Sequence, residues 1–401
     1  MACILMIPGS TDKPRNGFER HIYEISRRLG EKGFNVINVV PSPNESFCAH
    51  NVSDSYTIVK IPVTNMGLIA GFLDKIDVQL GKIPHFLNYH EAVRKFMQGL
   101  DRSLIVHAHG FYALVQPKNQ NKGYRRLITI HGFGQLDLLA RKEAYLKVVL
   151  LNSLLRRVYR NAECYTTFSD RMKRTAIQLY GMDPSKIAIV PHGVDVKFFS
   201  SKARPEEIER TVDRFKLNRS VKVLFVCHII SGKGLDILIN TFKLLRSRRS
   251  DVMLILKTSK EVRHYYETLR SIEKAGIKDV VSIISDRVSE SELRALYQVS
   301  DVFVNYFLIS GISTALLEAM ASGMPPIIHR SSSCNEIVDQ SCGVLSETFQ
   351  PDDLASAIEL LADDKKLRKQ LGYKAAERVL KEYDWDKVVV PQYVSIYKTL
   401  D

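Results

Sequence analysis

Long apolar runs are missing from this 401-residue sequence. No stretch approaches the ~18–20 residues a helix needs to span a bilayer, so nothing in it reads as a transmembrane segment. The start, Met1-Ala2-Cys3-Ile4-Leu5-Met6-Ile7, has no basic leader and no small-residue cleavage site. It reads as a first buried strand rather than a signal peptide. Cysteine is sparse: six, at 3, 48, 164, 227, 334 and 342, with no CxxC pair. A reduced, cytosolic compartment fits that usage; a disulfide framework or a zinc site does not. No solenoid-length repeat and no low-complexity tract is found. A metal-like cluster at a plausible strand end is absent too. Asp384-Trp385-Asp386 spells Asp-x-Asp, but it opens the last predicted helix, where Asp is an ordinary capping residue.

What is present is an ordinary globular balance, 45% apolar and 25% charged, in a chain too long for one core. Two domains are the prior. The net charge of +13 is uneven: residues 1–200 hold 27 Lys and Arg against 16 Asp and Glu, the rest 30 against 28. A basic first half suits an anionic partner, such as a membrane surface or a phosphorylated acceptor, or it is simply a solvated surface. No nucleic-acid-binding motif accompanies the charge.

Short apolar runs at 36–40, 103–107, 127–131, 221–227, 252–256 and 302–306 alternate with amphipathic stretches such as 21–32 and 234–247. That is the pattern of doubly wound α/β sheets, with ligands expected at the carboxyl ends of strands. It runs twice, from Met1 and from Val221. The turn-rich segment Pro191-His192-Gly193-Val194-Asp195 marks the break. The predicted domains are 1–197, completed by a closing helix over 384–401, and 198–383. Residues 66–99 read either as a helix packed on the first sheet or as an amphipathic membrane-surface segment.

Three loops can carry chemistry. Asn16-Gly17 precedes the first helix, where Gly17 lets the backbone approach a ligand and helix-start N–H groups attract phosphate. His228-Ile229-Ile230-Ser231-Gly232-Lys233-Gly234 follows the strand at 221–227, and Lys233 between glycines can neutralise a diphosphate or stand free in solvent. Ser310-Gly311-Ile312-Ser313-Thr314 follows the strand at 302–306, with Ser313 or Thr314 capping the next helix. Glu318, one turn further in among Leu316, Leu317, Ala319 and Met320, has the chemistry to accept two hydrogen bonds from a ribose diol.

These segments resemble the retaining GT-B glycosyltransferases of family 4. GFERHIYEISRRLGEKGFNVINVV (17–40) is similar to the family's opening, and IVHAHG (105–110) to its strand ending in His-x-His, with TIHGF (129–133) in register. The stretch 168–199 resembles the crossover into the second domain. VLFVCHIISGKGLDILI (223–239) resembles the phosphate-binding strand–loop–helix, ALLEAMASGMPPI (315–327) the nucleotide-binding helix, and YDWDKVVVPQYVSIYKTL (383–400) the closing helix. The resemblance covers nearly the whole chain. It implies two Rossmann-like domains facing across a cleft, with a nucleotide-sugar, UDP-linked as a first choice, bound by the second domain and an acceptor by the first.

Roles follow by the same resemblance. Lys233 holds the donor diphosphate, Glu318 the ribose hydroxyls, and the amides around Ser313–Ala315 the phosphates. Gly17 lets the first domain's loop approach, and His109 contacts the donor sugar, its alternative being a histidine packed at a strand end. No metal or other cofactor is implied. Two departures stand out: Cys227-His228 replaces Gly-Arg, and Ser310 replaces the glutamate that contacts the sugar. A ring that titrates near neutrality thus takes the place of a permanent bidentate cation. These two changes make a non-catalytic family member with a degenerate donor site the alternative function. The basic first half, with Arg156, Arg157 and Arg160, points to a lipid-linked or anionic acceptor and a peripheral position on the inner face of a membrane.

Overall fold

The computed structural model describes residues 3–10, 14, 16–42, 47–63, 83–100, 103–115, 124–133, 145–159, 162–227, 234–260, 264–306 and 312–401. The chain divides into two compact units, Met1–His192 with Trp385–Asp401, and Gly193–Asp384.

The N-terminal unit is an eight-stranded sheet. Its strands are β1 (Cys3–Ile7), β2 (Asn35–Ser42), β3 (Cys48–Ser53), β4 (Tyr56–Pro62), β5 (Leu104–His109), β6 (Tyr124–Thr129), β7 (Cys164–Thr167) and β8 (Ile187–Ile189). They lie in the order β3-β4-β2-β1-β5-β6-β7-β8. All neighbours are parallel except β3, which pairs antiparallel with β4 at one edge. The alternation of side chains along a strand sorts the core into two layers. Leu104 and Val106 of β5 join Tyr89, Val93 and Met97 of the helix Ile83–Gln98 on one face. Ile105 joins Ile22, Ile25 and Leu29 of the helix Gly17–Glu31, with Val390, Tyr393 and Tyr397 of the last helix, on the other. Over 83–98, then, the stretch 66–99 packs on the first sheet; its portion 64–82 lies outside the described residues.

The chain's end completes this unit. Pro391 has no N–H to give the helical ladder, and Trp385–Val389 winds as a π-type turn before the regular helix Val390–Leu400 begins. Asp386, expected as a helix cap, instead accepts from Arg28 Nε at 2.8 Å. Arg28 is buried and also pairs with Glu24.

The C-terminal unit holds β9 (Val221–Val226), β10 (Val252–Lys257), β11 (Val281–Ile284), β12 (Val302–Asn305), β13 (Pro326–His329) and β14 (Val344–Ser346). They form one parallel sheet in the order β11-β10-β9-β12-β13-β14. Val221, Val223 and Phe225 pack under the helices Leu235–Arg248 and Pro351–Asp363. Leu224 faces the helix Thr314–Ala321 on the opposite side. The unit begins at Gly193, a few residues before the expected break at 197. The reason is local: Val194 bridges Asp384, its N–H reaches Tyr383 O at 2.9 Å, and Val196 and Phe199 join this unit's core.

Candidate functional site

In an open α/β sheet, ligands bind outside the carboxyl ends of strands where the strand order reverses. That point lies between β1 and β5 in the N-terminal unit and between β9 and β12 in the C-terminal unit.

At the first switch point β5 ends in His107-Ala108-His109. Residues two apart share a face, so His107 and His109 project with Ile105 toward the first and last helices. His107 is satisfied on both sides: Nδ1 meets Tyr397 Oη at 2.7 Å and Nε2 meets Thr129 Oγ1 at 2.6 Å. Thr129 in turn meets Thr166 Oγ1 at 2.6 Å. Burial, helped by nearby His131, lowers the pKa of His107 to about 3.

His109 stacks near His107, with ring centroids 4.1 Å apart, and its Nδ1 lies 3.0 Å from Nε2 of His131, just past β6. Its Nε2 is buried without a partner. His21, on the first helix, packs 5.2 Å from His131 and 4.7 Å from His192 by ring centroids. Its Nε2 is 3.5 Å from Tyr393 Oη, and its Nδ1 is buried without a partner. Phe18, Phe168 and Trp385 close around these rings. Burial first, then the neighbouring histidines, hold His21, His109 and His131 well below the ordinary histidine pKa. At neutral pH the cluster is a set of uncharged donors and acceptors and supplies no positive charge.

Of these rings, sequence reasoning singled out His109 alone. The signal for the others was available, since 109, 131 and 192 each stand at or just after a strand and all such ends lie along one edge of a parallel sheet. Gly17 opens the first helix beside this cluster, with Asn16 as its cap, Oδ1 accepting from Glu19 N at 2.9 Å.

At the second switch point β9 ends at Val226 and the described chain resumes at Gly234. Gly234 has φ +69°, and a Cβ there would collide with the carbonyl oxygen of Tyr306, the residue after β12. Only glycine suits both the left-handed backbone and the close approach. The two loops that carry candidate donor contacts therefore meet at Gly234 and Tyr306. His228, Lys233, Ser310 and Gly311 themselves lie outside the described residues.

Ser313 caps the helix Thr314–Ala321, its side chain accepting from Leu316 N at 3.3 Å. Thr314 is the first helical residue rather than the cap. Glu318 is 8% exposed and accepts the hydroxyl of Tyr297 at 2.7 Å, so it is not a surface glutamate. Sequence reasoning missed Lys257 at the end of β10. Its half-buried ammonium donates to Thr258 O and Asp286 O at 3.0 and 3.2 Å, and burial lowers its pKa. Beside it, Thr258 Oγ1 is buried without a partner.

Two family matches tile this architecture. Residues 15–198 match Glycosyltransferase Family 4, and residues 208–378 match Glycosyl transferases group 1. The chain belongs to this glycosyltransferase family. An MMP alpha-(1->4)-mannosyltransferase of Mycolicibacterium hassiacum is 30% identical over 245 residues, 61% of this chain but only 56% of that protein's length. Among solved structures, sucrose-phosphate synthase from Thermosynechococcus elongatus matches with a TM-score of 0.81 at 16% identity, over 100% of this chain and 99% of that one. The Anabaena protein Alr3699/HepE in complex with UDP-glucose matches with a TM-score of 0.70 at 14% identity, over 100% of both chains. The fold of this glycosyltransferase family member is accordingly GT-B, two Rossmann-like α/β domains with parallel sheets.

Proposed function

We propose that the chain moves a sugar from a nucleotide-sugar, a UDP-sugar first, to an anionic or lipid-linked acceptor, with retention at the anomeric carbon and no metal in the transfer step. The observation that carries this reading is the pair of parallel sheets, each with a switch point beside its first strand, under family matches that run from 15 to 378 with one short gap. The UDP-glucose in the Anabaena relative supports the choice of donor.

In this reading the leaving nucleoside diphosphate is stabilised by charge and dipoles aimed where negative charge develops. Lys233 supplies the cation, and His228 adds to it where protonated. The N–H groups at Ser313, Thr314 and Ala315 supply a helix-start anion site behind Ser310 and Gly311. Glu318 takes the ribose hydroxyls, its carboxylate oriented by the Tyr297 hydroxyl. Gly17 admits the first loop to the donor, and His109, a neutral ring, hydrogen-bonds the sugar. The acceptor hydroxyl attacks on the leaving-group face and the departing phosphate takes its proton, so no protein nucleophile is assigned. The basic first half, 27 Lys and Arg against 16 Asp and Glu over residues 1–200, favours an anionic acceptor. Among the described residues no helix is long and apolar enough to cross a membrane.

The test has two arms. Lys233→Ala is expected to weaken UDP binding by about 1.5–3 kcal/mol, the worth of a hydrogen bond to a charged group; titration calorimetry reads it, and an unchanged dissociation constant removes Lys233 from the site. A transfer and hydrolysis screen over UDP-, GDP- and ADP-sugars reads the reaction. Donor binding with no turnover of any sugar favours the degenerate-site alternative that His228 and Ser310 motivate.

A further inference from the structure

The cluster beside β5 has a property that sugar binding leaves unused. His21, His109 and His131 each present one ring nitrogen such that the three atoms all lie within 4.8 Å of one another. We propose that these three histidines form a binding site for a borderline transition-metal ion of the zinc class.

Four observations carry it. The His109 Nδ1 to His131 Nε2 separation is 3.0 Å, near the edge of about 3.3 Å expected between two ligands of a tetrahedral ion with bonds of 2.0–2.1 Å. The third nitrogen reaches the same tetrahedron with an inward movement of at most about 1.5 Å from its 4.8 Å limit. His21 has an outer partner on one nitrogen and a free second one: Nε2 faces the Tyr393 hydroxyl at 3.5 Å, while Nδ1 is buried without a partner. Metal-bound histidines are held in this way, the far nitrogen hydrogen-bonded and the near one on the ion. Orphaned buried polar atoms are rare because each costs free energy, and His21 Nδ1, one of the seven such atoms among the described residues, falls in this cluster. Finally, His131 and Phe18 are only partly buried, which leaves an approach from solvent.

The donor set decides the ion class. Three imidazoles with no carboxylate suit zinc, copper or nickel, and offer nothing to the hard cations magnesium and calcium. Three protein ligands leave a fourth position open. Whether or not the chain transfers sugar, the site stands on ring geometry alone. If the transferase reading holds, an ion on His109 occupies the ring assigned to the donor sugar and competes with it.

The experiment is zinc binding by the full chain, stripped with chelator and titrated with ZnCl2 without any nucleotide-sugar. One equivalent is expected to bind and to raise the melting temperature, with no effect of MgCl2. His131→Gln, at the partly exposed ligand, and His109→Ala are each expected to lower zinc affinity about tenfold or more. His264→Ala, at a partly exposed ring of the other unit, leaves it unchanged. The wild-type melting shift needs no variant, so misfolding of His109→Ala cannot mask the answer. Absence of a zinc-dependent shift in the wild type, or the same shift and affinity in His131→Gln, overturns the proposal.

Discussion

The two units of this chain share one plan and fill its key position in opposite ways. Each is a parallel sheet whose order reverses beside its first strand. In the N-terminal unit that crevice is packed with side chains: five histidines, Phe18, Phe168 and Trp385 around the end of β5. In the C-terminal unit it is shaped by absent side chains, where Gly234 meets the backbone of Tyr306. A crevice lined by rings, with His21, His107, His109 and His131 held below the ordinary histidine pKa by burial, reads shape and hydrogen-bonding pattern. One lined by backbone and helix-start N–H groups attracts phosphate. The same strand topology thus supports two kinds of recognition, and the charge of the chain follows a third division, with nearly all its excess in the first half.

The comparison breaks most severely at Trp385, which is buried in the N-terminal core although it belongs to the end of the chain. Trp385→Ala is expected to destabilise that unit by about 3–5 kcal/mol and leave the other near its original stability. Calorimetry should show one unfolding transition moving and the other staying; a shift of both together would mean that the units unfold as one body. Gly234→Ala tests the opposite unit. The left-handed backbone alone costs about 1–3 kcal/mol for a side chain, and the collision with Tyr306 adds to it. Urea unfolding should therefore move the C-terminal transition, with a loss of UDP affinity that exceeds the loss in stability. Unchanged stability would show that the loop can withdraw from β12.

The charge contrast yields a gentler test. Arg156 and Arg157 are exposed on the helix Tyr145–Tyr159, and a basic residue at an anionic surface is worth about 1 kcal/mol. Binding to vesicles containing phosphatidylserine is expected at low salt, weak at high salt, and reduced by Arg156→Ser with Arg157→Ser. Equal partitioning onto neutral and anionic vesicles would favour a soluble acceptor. The smallest effect belongs to Asp386→Asn. Asp386 is 66% exposed, so losing its pair with Arg28 should cost less than about 1 kcal/mol, with a dependence on salt that thermal melts at two ionic strengths can read.

Much of this was legible along the chain. Apolar runs of five to seven residues marked six of the strands to within a few residues, because a strand buried on both faces must be apolar at every position. The helix start at Ser313 was visible because a capping hydroxyl is a local device, three residues from the N–H it satisfies. The closing helix was visible as a helical period, and Val389, Tyr393 and Tyr397 are among its buried residues. What escaped was whatever depends on residues far apart. Asp386 looked like a cap, yet its partner Arg28 stands on the first helix of the chain. Lys257 drew no notice in the sequence because its partners, the carbonyls of Thr258 and Asp286, are assembled only by the fold.

The histidines mark the limit most clearly. Composition and period determined that there would be two β/α sheets, where their strands would run and which face of β5 would carry 105, 107 and 109, because side-chain alternation and burial are properties of short segments. That rings from 21, 107, 109, 131 and 192 would gather at one strand end, with His21 Nδ1 and His109 Nε2 left unpartnered, was decided only by the order β1-β5-β6-β7-β8 and by the last helix returning to the first unit. The physical reason is that desolvation and hydrogen-bond satisfaction are set by what surrounds a group in space, and parallel crossovers bring together residues that lie far apart along the chain, such as His21 and His192.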